Sequence, residues 1–114
     1  MLVRTYLDES KIHGLGVFAY EKIQKGTQVW EYNKRFDKII LEKHLRDEAP
    51  PLIVELFDTY AYVYKDEYLV LDCDNGRFMN HSETPNCEWL ADCTGFALRD
   101  IQHSEEITCN YKGR

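Results

Sequence analysis

Three stretches of this 114-residue chain hold residue types suited to chemistry rather than to filling a core. The first is Arg77-Phe78-Met79-Asn80-His81-Ser82-Glu83-Thr84-Pro85-Asn86, with two Asn, a His and a Pro and almost no helix formers. Asn and Ser side chains bond local backbone, and Pro85 biases Thr84 away from helix, so the segment is expected to be a structured loop. Such a loop offers main-chain donors and acceptors to something other than a strand ladder. The second stretch is Gly14-Leu15-Gly16-Val17-Phe18-Ala19, whose two glycines permit positive φ or a close approach of backbone. The third is Glu105-Glu106-Ile107-Thr108-Cys109-Asn110-Tyr111, a strand-like run that ends on a phenol. Taken singly, the first two read equally well as a surface turn and a plain hairpin turn.

Several chemistries are set aside at once. The glycine turn lacks the third glycine and the following helix of a dinucleotide site. Cys73, Cys87, Cys93 and Cys109 form no C-x-x-C pair and show no zinc-ligand spacing with His, so no metal site is expected. Arg4 and the Asp8-Glu9 pair interrupt the N-terminus, which argues against a signal peptide. The cysteines then read as reduced, mostly buried thiols in a cytoplasmic type of compartment. No apolar run approaches the roughly 20 residues of a membrane helix, so no membrane partner is expected.

The formal net charge is −6, and it is uneven: residues 1–57 carry nine basic and nine acidic side chains, residues 58–114 five and eleven. The acidic second half argues against direct nucleic-acid binding, which needs a basic face. It suits a cationic partner such as a basic peptide, although acidic surfaces also serve solubility. Eight Tyr accompany two Trp and five Phe. Tyr joins an apolar ring to a polar tip, so this surplus suits a channel or an interface as well as a core.

In their order along the chain, the three stretches resemble the SET-domain protein lysine methyltransferases, over roughly residues 12 to 111. The resemblance implies S-adenosylmethionine as cofactor, S-adenosylhomocysteine as its product, and methyl transfer to the ε-amine of an exposed lysine on a protein or peptide. By resemblance, Gly14, Leu15 and Gly16 line the cofactor through backbone, and Arg77, Phe78, Asn80 and His81 form the other wall. The His81 ring either touches ligand or braces the loop, and Phe78 either lines the site or packs in the core. Tyr111 stands at the position of the family's active-site tyrosine, where its hydroxyl orients amine and methyl group. Tyr32 resembles a channel tyrosine with a share in catalysis, Trp89 a channel aromatic, and Cys109 occupies a place where many relatives carry a Phe or Tyr that limits methyl number. Ser104 replaces a common turn glycine, and the link from Asp72 to Arg77 looks shortened.

The elements that must position these residues are mostly short strands. Strands are expected at Leu2 to Leu7, Val17 to Tyr20, Thr27 to Tyr32, Tyr62 to Tyr64, Tyr68 to Leu71, Glu88 to Leu90, Phe96 to Arg99 and Glu106 to Asn110. In Thr27 to Tyr32, alternation places Val29 and Glu31 on one face and Gln28, Trp30 and Tyr32 on the other. Residues 41–60 form a small helical insert, with Pro51 at a helix start and Ile53, Leu56, Phe57 and Tyr60 at helical spacing as core cover. One domain over residues 1–114, mainly β, follows. The resemblance adds the β-clip arrangement of several small curved sheets, with the C-terminal segment threaded under a preceding loop as a pseudoknot.

Only Lys112-Gly113-Arg114 follow Tyr111, so the chain looks like the minimal SET proteins without a cysteine-rich tail. There a second subunit, as in a homodimer, or the bound peptide completes the site. A histone-like target places such a protein in the nucleus or on chromatin instead of the cytoplasm. Two rivals stand beside the enzyme: a catalytically weak interaction module on the same fold, and a methyltransferase for a small-molecule amine.

Overall fold

Every strand is only two to five residues long before a turn or a charged pair ends it, and the chain therefore builds several small sheets. The computed structural model describes residues 1–111. In chain order the elements are β1 (Thr5–Glu9), β2 (Leu15–Ala19), β3 (Gln28–Glu31), β4 (Lys38–Leu41), α1 (Glu42–Glu48), α2 (Pro51–Tyr60), β5 (Tyr62–Tyr64) and β6 (Tyr68–Leu71). A 3-10 turn at Asn75–Phe78 follows, then β7 (Asn80–His81), β8 (Cys87–Trp89), β9 (Thr94–Ala97) and β10 (Glu106–Cys109). The sheets run β1-β2-β10-β7, β3-β9-β8 and β4-β6-β5. This is the mainly β arrangement the sequence leads one to expect. No helix among the described residues is long and apolar enough to cross a membrane.

The first sheet carries the site. β1 and β2 form a hairpin with Leu7 opposite Val17 and Asp8 opposite Gly16. Its turn is closed by the Ser10 N–H on the Gly14 carbonyl at 2.8 Å, with Gly14 at φ +47°. A Cβ there meets nothing within 4 Å, so the left-handed φ alone selects glycine. β10 then inserts between β2, antiparallel, and β7, parallel, with Thr108 opposite Asn80 and Cys109 opposite His81. A strand from the chain's far end is thus held by the glycine hairpin on one side and the Asn-His loop on the other.

Asn86 rivets that insertion. It is 2% exposed and accepts the Thr108 N–H on Oδ1 at 2.9 Å. Its Nδ2 donates to the Glu106 carbonyl at 2.7 Å and to the Glu105 carboxylate at 3.1 Å. The Asn86 carbonyl also receives the Leu98 N–H. One buried side chain therefore satisfies backbone groups that a regular sheet edge leaves open.

Two departures from expectation have local causes. A register shift lies between Gln28 and Trp30, so Val29 and Trp30 are both buried and the expected alternation fails. Trp30 stacks on Trp89 at 5.2 Å, and Gly95 makes room for that ring, since a Cβ there falls 2.6 Å from Trp89. The strand β4, in a stretch to which the sequence reading assigned no element, pairs in full register with β6. The helices rest on this sheet through a second cluster of Leu45, Phe57, Leu69 and Leu71, so core cover is one of their roles. Pro51 does open α2, but Ile53 points outward at 42% exposure.

Candidate active site

Two cavities run along the seam between the glycine hairpin, the end of α2 and the 77–81 segment, and a third adjoins the second. The largest, about 410 Å³, has Gly14 and Leu15 on one wall, Arg77, Phe78, Asn80 and His81 on another, and Tyr111 at its end. Its volume lies within the roughly 300–1,000 Å³ of small-molecule sites. The next, about 240 Å³, shares Tyr60, Arg77, Met79 and Tyr111 with the first and adds Tyr62, Asp72 and Gly76. The third, about 270 Å³, shares Tyr62 and Val63 with the second and ends on Trp30 and Trp89.

The walls are pinned from behind. Asn80 is 8% exposed, and its Nδ2 directs its hydrogens to the carbonyls of His13 (3.0 Å) and Leu15 (3.1 Å) and to Glu106 Oε2 (3.0 Å). With both amide hydrogens committed to protein acceptors, Oδ1 is the atom this side chain has to offer an ammonium group. Arg77 donates from Nε to the Asp72 carbonyl at 2.9 Å, which fixes the guanidinium stem on the 3-10 turn. Phe78 meets Tyr60 edge-on at 5.1 Å while also packing on the main core, so it lines the cavity and fills the interior at once.

Tyr111 is held at both ends. Its backbone N–H donates to His81 Nδ1 at 3.0 Å, and its hydroxyl donates to the Met79 carbonyl. The residue is 44% exposed and stands in the wall common to the first two cavities. His81 braces Tyr111 through its ring and is also one of the residues that line the cavity.

Three expected residues fall elsewhere. Gly16 sits behind the cavity: a Cβ there falls 2.5 Å from Glu106 Oε2, so its bareness accommodates a carboxylate instead of a ligand. Tyr32, expected in the channel and in catalysis, lines none of the three cavities. It packs on the main core beside a shallow recess of residues 31–36. Burial first, then the charges of Asp37, Tyr64 and Cys93, push its phenol above the usual range, which makes it a still poorer base. Cys109 is fully buried and contributes no wall; it stands in the core near Cys87, whose thiol burial pushes up to about 12. Of the four cysteines, Cys87 and Cys109 are buried, Cys93 is half-buried and Cys73 is exposed.

Residues that the sequence reading left out complete the walls. Thr59 and Tyr60 end α2 and line both of the first two cavities, so the helical insert does more than cover core. The signal was present in the end of the 53–56–57–60 stripe, where Tyr60 carries a polar tip that a core position does not need. Met79 and Tyr62 join the second cavity. Among the described residues no group of His, Cys, Asp and Glu is placed to hold a metal ion.

A family model described as SET domain matches residues 14–112. The chain belongs to the SET-domain family. It is 34% identical over 114 residues to a Schizosaccharomyces pombe protein named histone-lysine N-methyltransferase, H3 lysine-4 specific. That match covers 90% of this chain and only 12% of the relative's length. The structure superimposes on a crystal structure of a candidate histone methyltransferase of Plasmodium falciparum with a TM-score of 0.65 and 25% identity, covering 97% of this chain and 95% of that one. It also superimposes on a chain of a humanized Chaetomium thermophilum Polycomb Repressive Complex 2 bound to the inhibitor GSK126. There the TM-score is 0.72 at 21% identity, covering 97% of this chain and 15% of that one.

Proposed function

We propose that this SET domain is a protein-lysine methyltransferase that takes its methyl group from S-adenosylmethionine. The observation that carries the reading is the position of Tyr111 in the wall common to two adjoining cavities, one floored by the glycine turn and one leading toward Trp30 and Trp89. Family membership and relatives named as histone-lysine methyltransferases support the same chemistry.

The residues present fit the cofactor. Gly14, at positive φ with open space where a Cβ would stand, leaves the backbone of the turn accessible from the cavity. Gly14, Leu15, Phe78 and His81 form the cofactor walls, with Arg77 beside them, and Asn80 Oδ1 accepts from the methionyl ammonium. When bound, the cofactor would supply an electrophilic methyl group on a sulfonium, with S-adenosylhomocysteine as the leaving group as the lysine nitrogen bonds the methyl. The protein's task is positioning, which alone can supply several kcal/mol of a barrier. Met79 and Tyr111 narrow the passage between the two cavities, and the Tyr111 hydroxyl serves as a fixed dipole at that point. Tyr62, Trp30 and Trp89 surround the lysine stem with rings that exclude water and face its cationic form favourably. An apolar passage and a nearby sulfonium both favour the neutral amine needed for attack.

The substrate is a lysine-bearing basic protein or peptide, with a histone-like tail the class that the relatives' names and the acidic second half of the chain favour. Such a target places the activity in the nucleus or on chromatin. Incubation with cofactor labelled in its methyl group and an array of basic peptides tests the proposal. Label on a lysine supports it, and cofactor binding without label on any peptide favours the interaction module instead.

A further inference from the structure

One carboxylate outside the cavities ties their walls together. Glu106 opens β10, opposite Phe18 of β2, and lines none of the three cavities. Its Oε2 accepts from Asn80 Nδ2 at 3.0 Å, and the Ser10 hydroxyl donates to its two oxygens at 2.8 and 3.0 Å. Ser10 Oγ in turn accepts the N–H groups of Ile12 at 2.9 Å and His13 at 3.3 Å. The same Asn80 Nδ2 reaches the carbonyls of His13 and Leu15. Three segments distant in sequence meet at one side chain: the hairpin from Ser10 to Gly16, β7 and β10.

We propose that Glu106 is a positioning residue for the cofactor site, a clasp that sets the separation between the Gly14–Leu15 wall and the Asn80 wall. This rests on the cofactor reading above and goes beyond it by assigning a role to a residue that never touches the ligand.

The chemistry of the clasp requires an anion. Asn80 and Ser10 both direct hydrogens at it, and a carboxylate is acceptor-only with lone pairs enough for both. A glutamine offers one oxygen, and its NH₂ then faces either the Asn80 amide or the Ser10 hydroxyl. The bonds to an ionised acceptor are also roughly twice as strong as neutral ones. Without Glu106, the His13 and Leu15 carbonyls still hold Asn80, but the tie of both walls to β10 is lost, and the position of Oδ1 relative to the glycine turn is no longer fixed. Gly16 belongs to the device, because the space of its missing side chain is filled by Glu106 Oε2 and Ser10 Cβ at 2.5 and 3.1 Å.

The test is calorimetric binding of S-adenosylhomocysteine to the full chain, alongside denaturant unfolding. Glu106→Gln is expected to weaken binding about tenfold, the loss of one charge-assisted bond. Ser10→Ala is expected to give a smaller loss, and the double variant no more than Glu106→Gln alone, because the two act as one unit. Glu105→Gln is the control: Glu105 holds Arg99, Gln102 and Asn86 and does not touch the Asn80 side chain, so it lowers stability and leaves binding within twofold or so. In turnover, Glu106→Gln raises the cofactor KM while kcat at saturating cofactor and the peptide KM hold. Should Glu106→Gln fail to fold, Gly16→Ala displaces the carboxylate without removing it and is expected to weaken binding as well.

Equal binding by wild type, Ser10→Ala and the foldable clasp variant overturns the proposal. So does an equal loss in Glu105→Gln, which marks a merely structural effect. If the wild-type chain does not bind S-adenosylhomocysteine, the cofactor reading itself fails and the clasp with it.

Discussion

The imidazole of His81 accepts the backbone N–H of Tyr111 on Nδ1 at 3.0 Å, while its Nε2 lies 3.0 Å from the Glu83 carboxylate. An accepting Nδ1 puts the ring proton on Nε2, where Glu83 receives it. The loop residue with the strongest chemical character thus aims the chain end that carries the phenol. His81→Phe removes the acceptor, and turnover is expected to fall about tenfold, the worth of one positioned hydrogen bond. His81→Asn keeps an acceptor near the Nδ1 position and is expected to recover most of that loss. Steady-state methyl transfer by the two variants checks the claim, and equal rates for both contradict it.

Asn86 joins the insertion of β10 to the loop ahead of it through bonds to Thr108, Glu106 and Glu105. Asn86→Ala leaves buried backbone groups unsatisfied and is expected to cost about 2–4 kcal/mol. The midpoint of urea unfolding measures it. A cost near zero means that the strand is held by its ladder alone.

Ser104 lies at φ +66°, in the left-handed region that strains a residue with a Cβ. Ser104→Gly is expected to stabilise the fold by about 0.5–1 kcal/mol, since relief of strain outweighs the added chain entropy. Its N–H bond to the Ala19 carbonyl survives the change. Unfolding midpoints decide the sign.

Glu105 governs an acid limit. Burial alone raises its carboxyl, but hydrogen bonds from Arg99, the Gln102 N–H and Asn86, with the Arg99 charge, hold it below its usual range. A depressed carboxyl contributes stability that is present above its unfolded value of about 4.3 and is lost as pH falls through the lower folded value. Glu105→Gln is therefore expected to flatten the stability profile below about pH 4–5 while lowering the plateau above it. Unfolding free energies measured from neutral pH downward check this. A variant with the wild-type slope contradicts it.

Local backbone signals made much of the site readable in advance. The 77–86 loop, the left-handed Gly14 and the phenol at the end of β10 each announce themselves through residue type, and the fold brings all three to one cavity. Directions of side chains were less legible. Tyr32 was placed in the channel by resemblance alone, but it packs on the main core, just past a register shift between Gln28 and Trp30. Cys109 was placed at the channel by resemblance, but it is fully buried in the core, in the strand β10 that pairs with β7. Gly16 was assigned to ligand by resemblance, and nothing in the sequence shows that a carboxylate ninety residues away fills the space of its missing Cβ. The strand β4 hid in a charged neighbourhood, and the wall role of Tyr60 in a stripe that also fits core packing.

Methyl transfer by Tyr111→Phe, measured beside its binding of S-adenosylhomocysteine, tests the central claim most directly. The substitution removes only the hydroxyl that rests on the Met79 carbonyl. The expected result is unchanged cofactor affinity, within about threefold, with transfer to a lysine peptide lowered by roughly a hundredfold. Equal transfer by the two proteins contradicts the placement of this phenol at the point where methyl group and amine meet.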